Sequence, residues 1–162
     1  MDSSDSIKSL IYGQVLHYSH LYEQMLDLEL MELKAWGEAR ELPGLPGNLS
    51  TIHVLACIGD HEPINHSGVA EKMNLSKASI TKISTKLLTH GYIERIQLND
   101  NRKEVYYRLT AQGNKLYKLH EALHQEEEQR FMRFLNDYSD SELQTILRFF
   151  QAMAKQIDEW KT

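Results

Sequence analysis

Apolar residues recur every three or four positions along most of this chain, which is the spacing that places them on one face of an α-helix. One such pattern runs from about residue 6 to the high thirties and predicts a single long first helix. The segment 43–48 (PGLPGN) cannot continue this helix and predicts a loop. Further patterns predict a short helix over 50–59, a long helix that opens at Thr110, and a last helix with Ser139 and Glu142 as a capping pair.

Two shorter helices are predicted in the middle of the chain, separated by a tight turn at residues 74–75. The first covers 65–73, and Ser76 then supplies the hydroxyl that caps the start of the second. The second helix runs to about His90, and Gly91 ends it. One face of this helix is apolar, whereas the other carries only short polar and basic side chains. A solvated helix face usually mixes charges of both signs, so this face is a candidate for a specific contact.

The periodicity changes after Gly91. The runs 92–98 and 104–109 are rich in β-prone residues, and the second alternates between apolar and polar side chains as a half-buried strand does. The polar segment 99–103 between them predicts the tip of a β-hairpin. The first run alternates too weakly to set its register.

These elements predict a mainly α-helical protein with a small β-hairpin wing, which is the winged helix-turn-helix class with long N- and C-terminal helices. Three segments follow from this order: an N-terminal helix and loop at 1–48, a winged helix-turn-helix lobe at 49–112, and C-terminal helices at 113–162.

The charge distribution indicates where such a protein would meet a polyanion. The net charge is −5, but the segment from Pro63 to Leu109 has eight Lys and Arg against four Asp and Glu. This segment carries a net charge of +4, whereas the rest of the chain carries −9. Such an asymmetry favours one surface that faces nucleic acid.

The basic face of the second middle helix is the candidate DNA-reading surface. A helix of this kind can enter the major groove, where hydroxyl groups contact bases or phosphates and lysines neutralise phosphates. The candidate residues on it are Ser76, Lys77, Ser79, Thr81, Lys82, Thr85 and Lys86. The hairpin tip adds Arg102 and Lys103, which can reach the flanking backbone or the minor groove.

Four sequence segments carry a family resemblance: VAEKMNLS at 69–76, LLTHGYIER at 87–95, DNR at 100–102 and LTAQG at 109–113. The last two match the pattern D-x-R…L-T-x-x-G, and the chain resembles the MarR-type (multiple antibiotic resistance regulator) winged-helix family over essentially its whole length. The resemblance implies a homodimer joined by the first and last helices, a palindromic operator, and regulation by a small ligand. It also implies that Asp100 orients Arg102 in the wing. We expect a repressor.

The histidines of the chain indicate a second kind of site, one that binds a metal ion. His120 and His124 are four residues apart on a predicted helix, so they share one face at a separation of about 6 Å, which suits two ligands of one metal ion. In the zinc-responsive members that this chain resembles, such a pair binds the same metal as a histidine at the position of His53. A carboxylate on the first helix completes that site. Glu23 is the first candidate for it here.

Other ligands from the first helix compete with Glu23, namely His17, His20 and Glu29. The zinc-responsive members also have a second metal site. We do not expect it here, since Ile52 and Leu119 occupy its positions and cannot coordinate a metal ion. The resemblance therefore implies a single zinc site.

Other interpretations of the histidines and of the chain's function stay open. The histidines can instead line a cleft for a small phenolic or lipophilic effector, or the chain can be a metal-buffering or protein-interaction module that no longer reads DNA. No Gly-rich phosphate loop, Cys-x-x-Cys pair or convincing catalytic triad is present in the sequence, so an enzyme is not expected. The single cysteine, Cys57, lies on an apolar helix face, which predicts a buried, inert thiol. It also fits a reducing cytoplasm, and no apolar run is long enough for a membrane span.

Overall fold

A computed structural model describes residues 3–42, 45–97 and 104–160, and these ranges contain six helices and three short strands. In chain order they are α1 (Ser3–Glu38), α2 (Leu49–His61), β1 (Ile64–Asn65), α3 (His66–Met73), α4 (Lys77–Thr89), β2 (Ile93–Ile96), β3 (Tyr106–Leu109), α5 (Ala111–Leu135) and α6 (Asp140–Trp160). The predicted fold class, mainly helical with a small winged sheet, is confirmed. No helix among these ranges has the length and apolar character required to cross a membrane.

The chain divides into two compact units, Met1–Glu121 and Ala122–Thr162, and α5 continues across the boundary. The first unit contains the winged lobe. Its core is formed by apolar side chains with almost no exposed surface, and each of them stabilises the fold by about 1.5–3 kcal/mol through its burial. They come from α2, α3, α4 and α5 and include Ile52, Leu55, Val69, Ile80, Leu87 and Leu116.

Helix α2 starts at a side-chain cap and ends later than predicted. The Asn48 carboxamide oxygen accepts hydrogen bonds from the backbone N–H and the hydroxyl of Thr51, both at 2.9 Å. Gly59 does not end the helix, which continues to His61. A Cβ atom at Gly59 would lie 2.6 Å from the Tyr117 ring, so this glycine provides room for α5. Its role is packing and not termination.

The turn between α3 and α4 has the predicted form. Asn74 adopts the left-handed conformation with φ 50°, and its N–H donates to carbonyls of the last turn of α3. The Ser76 hydroxyl then accepts from the backbone N–H of Ser79 at 3.1 Å. These two caps fix the angle at which α4 leaves α3.

The sheet has three strands in the order β1-β3-β2, all antiparallel, where the sequence predicted only the hairpin of β2 and β3. In the hairpin Ile93 pairs with Leu109, which sets the register that the sequence left open. The added strand β1 pairs Ile64 with Tyr107, which is buried. A strand of two residues is too short to give a periodic signal.

The L-T-x-x-G segment joins the wing to α5. The Thr110 hydroxyl donates to the Gly91 carbonyl at 2.6 Å and accepts from the Gly113 N–H at 3.0 Å. A Cβ atom at Gly113 would lie 1.9 Å from the carbonyl oxygen of Tyr92, so only glycine fits here. The motif is thus a tight junction between the start of β2 and the first turn of α5.

The second unit consists of the later part of α5 and of α6. The Glu142 carboxylate accepts hydrogen bonds from the Ser139 N–H at 2.8 Å and hydroxyl at 2.5 Å, which confirms the predicted capping pair. These bonds lower the pKa of Glu142. None of the described residues of α6 is buried, although α6 is strongly amphipathic in sequence.

Candidate nucleic-acid interface and metal cluster

The exposed face of α4 carries most of the sequence-predicted DNA contacts. Lys77, Thr81, Lys82, Thr85 and Lys86 are all exposed. Ser76 is exposed at the N-cap, and Ser79 is half-buried. That these side chains contact DNA is a prediction from the sequence.

The electrostatics of this face are uniform. Segment 76–90 contains no acidic residue, and the ion pairs of the described residues involve none of the three lysines Lys77, Lys82 and Lys86. An unneutralised row of cations costs free energy through mutual repulsion unless a polyanion covers it. This surface is therefore suited to the phosphates of a nucleic acid.

The predicted wing contacts Asp100, Arg102 and Lys103 lie outside the described residues. Within the described part of the wing, the Arg108 guanidinium donates to the Glu94 carboxylate across the strands at 2.5 Å. The wing-tip contacts stay a prediction.

One residue near this face gave no signal in the sequence. His66 is the first residue of α3, and its Nε2 atom lies 3.0 Å from the Thr81 hydroxyl oxygen on α4. The contact depends on how α3 and α4 cross, which no local pattern encodes.

A second group of polar residues converges inside the first unit. The Oε1 atom of Glu29 lies 3.6 Å from Nε2 of His53 and 3.5 Å from Nε2 of His120. The two imidazole rings are 5.3 Å apart between centroids. The side chains of Glu29 and His120 are only 9% and 6% exposed, whereas His53 is 37% exposed.

Glu29, His53 and His120 form a candidate metal cluster, to which three helices contribute. Glu29 comes from α1, His53 from α2 and His120 from α5. Tyr117 links α5 to α2, because its phenol donates to the Asp60 carboxylate of α2 at 2.6 Å. The pKa of Tyr117 is raised above its ordinary value, mainly because of this hydrogen bond.

The structure brings Glu29, and not Glu23, to the histidines. Glu23 is exposed on α1. Six residues along a helix correspond to about 9 Å of rise and a different face, so Glu23 cannot take the place of Glu29. The alternatives His17 and His20 are also exposed and lie still farther along α1.

His124 follows His120 by one turn of α5, on the same face. Its Nδ1 atom lies 3.3 Å from the Glu127 carboxylate. This pairing matches the arrangement in which an acidic group holds one nitrogen of a metal-ligating histidine while the other faces the metal.

The distances within the metal cluster fit the coordination geometry of zinc. Two ligand atoms at about 2.0 Å from a tetrahedral ion are about 3.3 Å apart, close to the 3.5 and 3.6 Å separations of Glu29 from the two imidazoles. Two imidazole nitrogens and one carboxylate oxygen are also a donor set that zinc accepts. Ile52 and Leu119 are both buried in the apolar core, so neither offers a further ligand.

Cys57 takes no part in either site. It is buried, and this burial raises the pKa of its thiol, which opposes formation of the reactive thiolate.

Comparison with known proteins supports these assignments of fold. A family model described as the MarR family matches residues 48–105. The HTH-type transcriptional regulator PchR of Bacillus subtilis (strain 168) is 41% identical over 159 residues, which cover 98% of this chain and 94% of that protein.

Two solved structures have the same fold. FabT of Streptococcus pneumoniae, crystallised in complex with DNA, superposes with a TM-score of 0.70 at 18% identity and covers 91% of this chain and 98% of its own. ZitR of Lactococcus lactis, described as a zinc-responsive MarR family member, gives a TM-score of 0.63 at 20% identity and covers 85% of this chain and 99% of its own. The chain thus belongs to the MarR family and is a transcriptional regulator that binds DNA, not an enzyme.

Proposed function

We propose that this regulator is a homodimeric, zinc-dependent repressor that reads a palindromic operator with α4. The observation that carries the zinc assignment is the metal cluster, in which a nearly buried carboxylate on α1 lies 3.5–3.6 Å from imidazoles on α2 and α5. The uniformly basic face of α4 supports the reading of DNA by this helix.

In the proposed complex, the lysines of α4 contact phosphates and its hydroxyl side chains face the bases. The proposed contacts on α4 are Ser76, Lys77, Ser79, Thr81, Lys82, Thr85 and Lys86. Arg102 and Lys103 of the wing contact the flanking backbone or minor groove, and Asp100 orients Arg102 through a charge-assisted hydrogen bond.

The homodimer is supported by the apolar side chains that the single chain leaves exposed. On α1 these include Ile7, Leu10, Ile11, Tyr12, Leu21, Met25 and Leu28, and in the second unit Phe131, Phe134, Phe149, Phe150 and Trp160. Apolar surface of this extent marks a protein interface. A two-fold dimer would place two α4 helices about 34 Å apart, which is one turn of duplex DNA and the half-site spacing of a palindrome.

The zinc site would consist of the metal cluster and His124. Glu29, His53, His120 and His124 supply one carboxylate and three imidazoles, which fill a tetrahedral coordination sphere. Glu127 would hold Nδ1 of His124 and so leave Nε2 for the metal. The shared fold with ZitR, which is zinc-responsive, is compatible with this assignment.

Zinc would control DNA binding by fixing the lobe. His53 lies on α2, which packs against both α3 and α4, whereas Glu29 and His120 lie on α1 and α5. An ion bound to all three helices would restrict the position of α2, and with it that of α4, relative to α1 and α5. Zinc should therefore raise operator affinity, and the operator should raise zinc affinity by the same factor.

The test is a pair of titrations on untagged protein. Wild type, His124→Ala and Glu29→Gln are titrated with zinc, and their binding to an operator selected from randomised duplexes is measured with zinc and with chelator. Loss of a ligand should weaken zinc binding by at least the roughly 100-fold that loss of an outer-shell partner can cost. His20→Ala, which removes an exposed histidine of α1, is the matched control. Equal zinc affinity in wild type and His124→Ala, or operator binding that is indifferent to zinc, contradicts the proposal.

A second candidate effector is a small organic molecule. A cavity of about 250 Å³ lies between residues 45–48 and the end of α4, where Lys86, Leu87 and His90 line it. A ligand there would contact the proposed DNA-reading helix directly. Operator binding that is unaffected by zinc or chelator would favour this alternative.

A further inference from the structure

Three threonines follow one another at steps of four along the exposed side of α4. Each hydroxyl donates to the carbonyl four residues earlier: Thr81 to Lys77 at 2.9 Å, Thr85 to Thr81 at 2.8 Å, and Thr89 to Thr85 at 2.9 Å. A hydroxyl has one proton, so each of these oxygens can only accept further hydrogen bonds.

Thr81 differs from the other two because it has a partner on α3. The Nε2 atom of His66 lies 3.0 Å from the Thr81 oxygen. With the Thr81 proton directed to Lys77, the imidazole must carry the proton on Nε2 and donate it. This bond uses one of the two lone pairs of the oxygen and leaves one for a ligand.

His66 is itself held in place. It is the first residue of α3, and the preceding Asn65 caps this helix by accepting from the Gly68 N–H at 2.8 Å. Two hydrogen bonds therefore hold the Thr81 hydroxyl, one donated to its own helix and one received from α3. Thr85 and Thr89 have only the first of these bonds among the described residues.

We infer that Thr81 determines base specificity and that His66 is its positioning residue. The inference rests on the proposed insertion of α4 into the major groove. There the exocyclic amines of adenine (N6) and cytosine (N4) are donors, whereas O6 of guanine and O4 of thymine are acceptors. An oxygen that can only accept favours adenine or cytosine at the position it meets, because guanine or thymine would oppose two acceptors.

The size of the effect follows from one hydrogen bond per half-site. Loss of a single base contact typically costs about fivefold or more in affinity. A palindrome presents the position twice to a dimer, so removal of the amine from both half-sites should weaken binding about 25-fold.

The experiment is a cycle between protein and DNA variants. An operator is first selected from randomised duplexes with the wild-type protein. Adenines and cytosines are then replaced, in both half-sites, by purine and 2-pyrimidinone, which lack only the exocyclic amine. At one position per half-site, removal of the amine should lower the operator affinity of the wild-type protein about 25-fold. It should leave the operator affinity of Thr81→Val almost unchanged, because valine keeps the shape of threonine but lacks its oxygen. Thr89→Val, which removes a hydroxyl bonded in the same way but without a histidine, should retain the full sensitivity.

His66 is tested by replacement with and without a donor. His66→Leu should lose most of the amine sensitivity, whereas His66→Gln, whose amide can donate from a similar position, should keep most of it. Melting curves of both variants establish that the fold is intact. Full amine sensitivity in Thr81→Val, or in His66→Leu, overturns the inference while leaving DNA binding by α4 in place. Failure of the wild-type protein to select any duplex would overturn the proposed role of α4 along with it.

Discussion

Replacement of Lys82 by alanine tests the proposed DNA-reading face most directly. Lys82 is exposed on α4, and the ion pairs of the described residues do not include it. If its ammonium group neutralises one phosphate, its loss removes one released counterion per protomer. The slope of log K against log salt should then become shallower by about 0.9 per protomer, or about 1.8 for the dimer.

The same slope gives the loss of affinity at each salt concentration. For a purely electrostatic contact it amounts to about fivefold per lysine at 0.15 M salt and about 15-fold at 0.05 M. Two copies in a dimer multiply these factors to about 30-fold and about 200-fold. The effect of the substitution should therefore shrink as salt rises, whereas the loss of a base contact would be nearly independent of salt.

The assay is fluorescence anisotropy with a labelled operator duplex at four or more salt concentrations. Lys155→Ala is the control, because Lys155 is an exposed lysine of α6 that pairs with Glu159 at 3.9 Å and is not part of the proposed surface. An unchanged salt slope for Lys82→Ala, and likewise for Lys77→Ala and Lys86→Ala, would refute the assignment of this face to phosphates.

Three further predictions concern the wing, the junction after it and the last helix. Arg102→Ala should weaken operator binding without a change in melting temperature, and Asp100→Ala should weaken it nearly as much; normal binding by both would leave the wing a purely structural role. Gly113→Ala should destabilise the protein by about 3 kcal/mol in urea unfolding, because its Cβ would lie 1.9 Å from the Tyr92 carbonyl oxygen; a loss below about 0.5 kcal/mol would contradict the close approach. Hydrogen bonds lower the pKa of Glu142 in the folded state, so its stabilising contribution is present above about pH 4.5 and is lost as the pH falls. Glu142→Gln should thus melt below wild type at pH 7, and the difference should close towards pH 3; a difference that persists at pH 3 would argue against this cap.

The sequence by itself determined the features that depend on neighbours within a few residues. Three such features are helix α1, the cap at Ser76 and the capping pair before α6. Each depends on residues within one or two helical turns, and the structure has all three. The i,i+4 spacing of His120 and His124 is local in the same sense. Helix geometry alone places such pairs on one face, whatever the rest of the chain does.

Other features were decided by the tertiary structure. Glu29 and not Glu23 joins the two imidazoles, because only the three-dimensional arrangement of α1, α2 and α5 decides which turn of α1 lies beside the histidines. The strand β1 exists only because β3 offers it a partner, and position 59 inside α2 needs a glycine because Tyr117 occupies the space beside it. In each case the sequence supplied an acceptable residue but no local signal.

The contact between His66 and Thr81 has the same physical origin. Both residues lie in helices that the sequence predicts, yet their distance depends on the crossing angle of α3 and α4, which the turn at Asn74 and the burial of the two apolar faces set together. Local sequence fixes what each helix presents, because backbone hydrogen bonds and caps act within a turn. Only the packing of the core fixes which presented groups meet, because that packing is a property of all the helices at once.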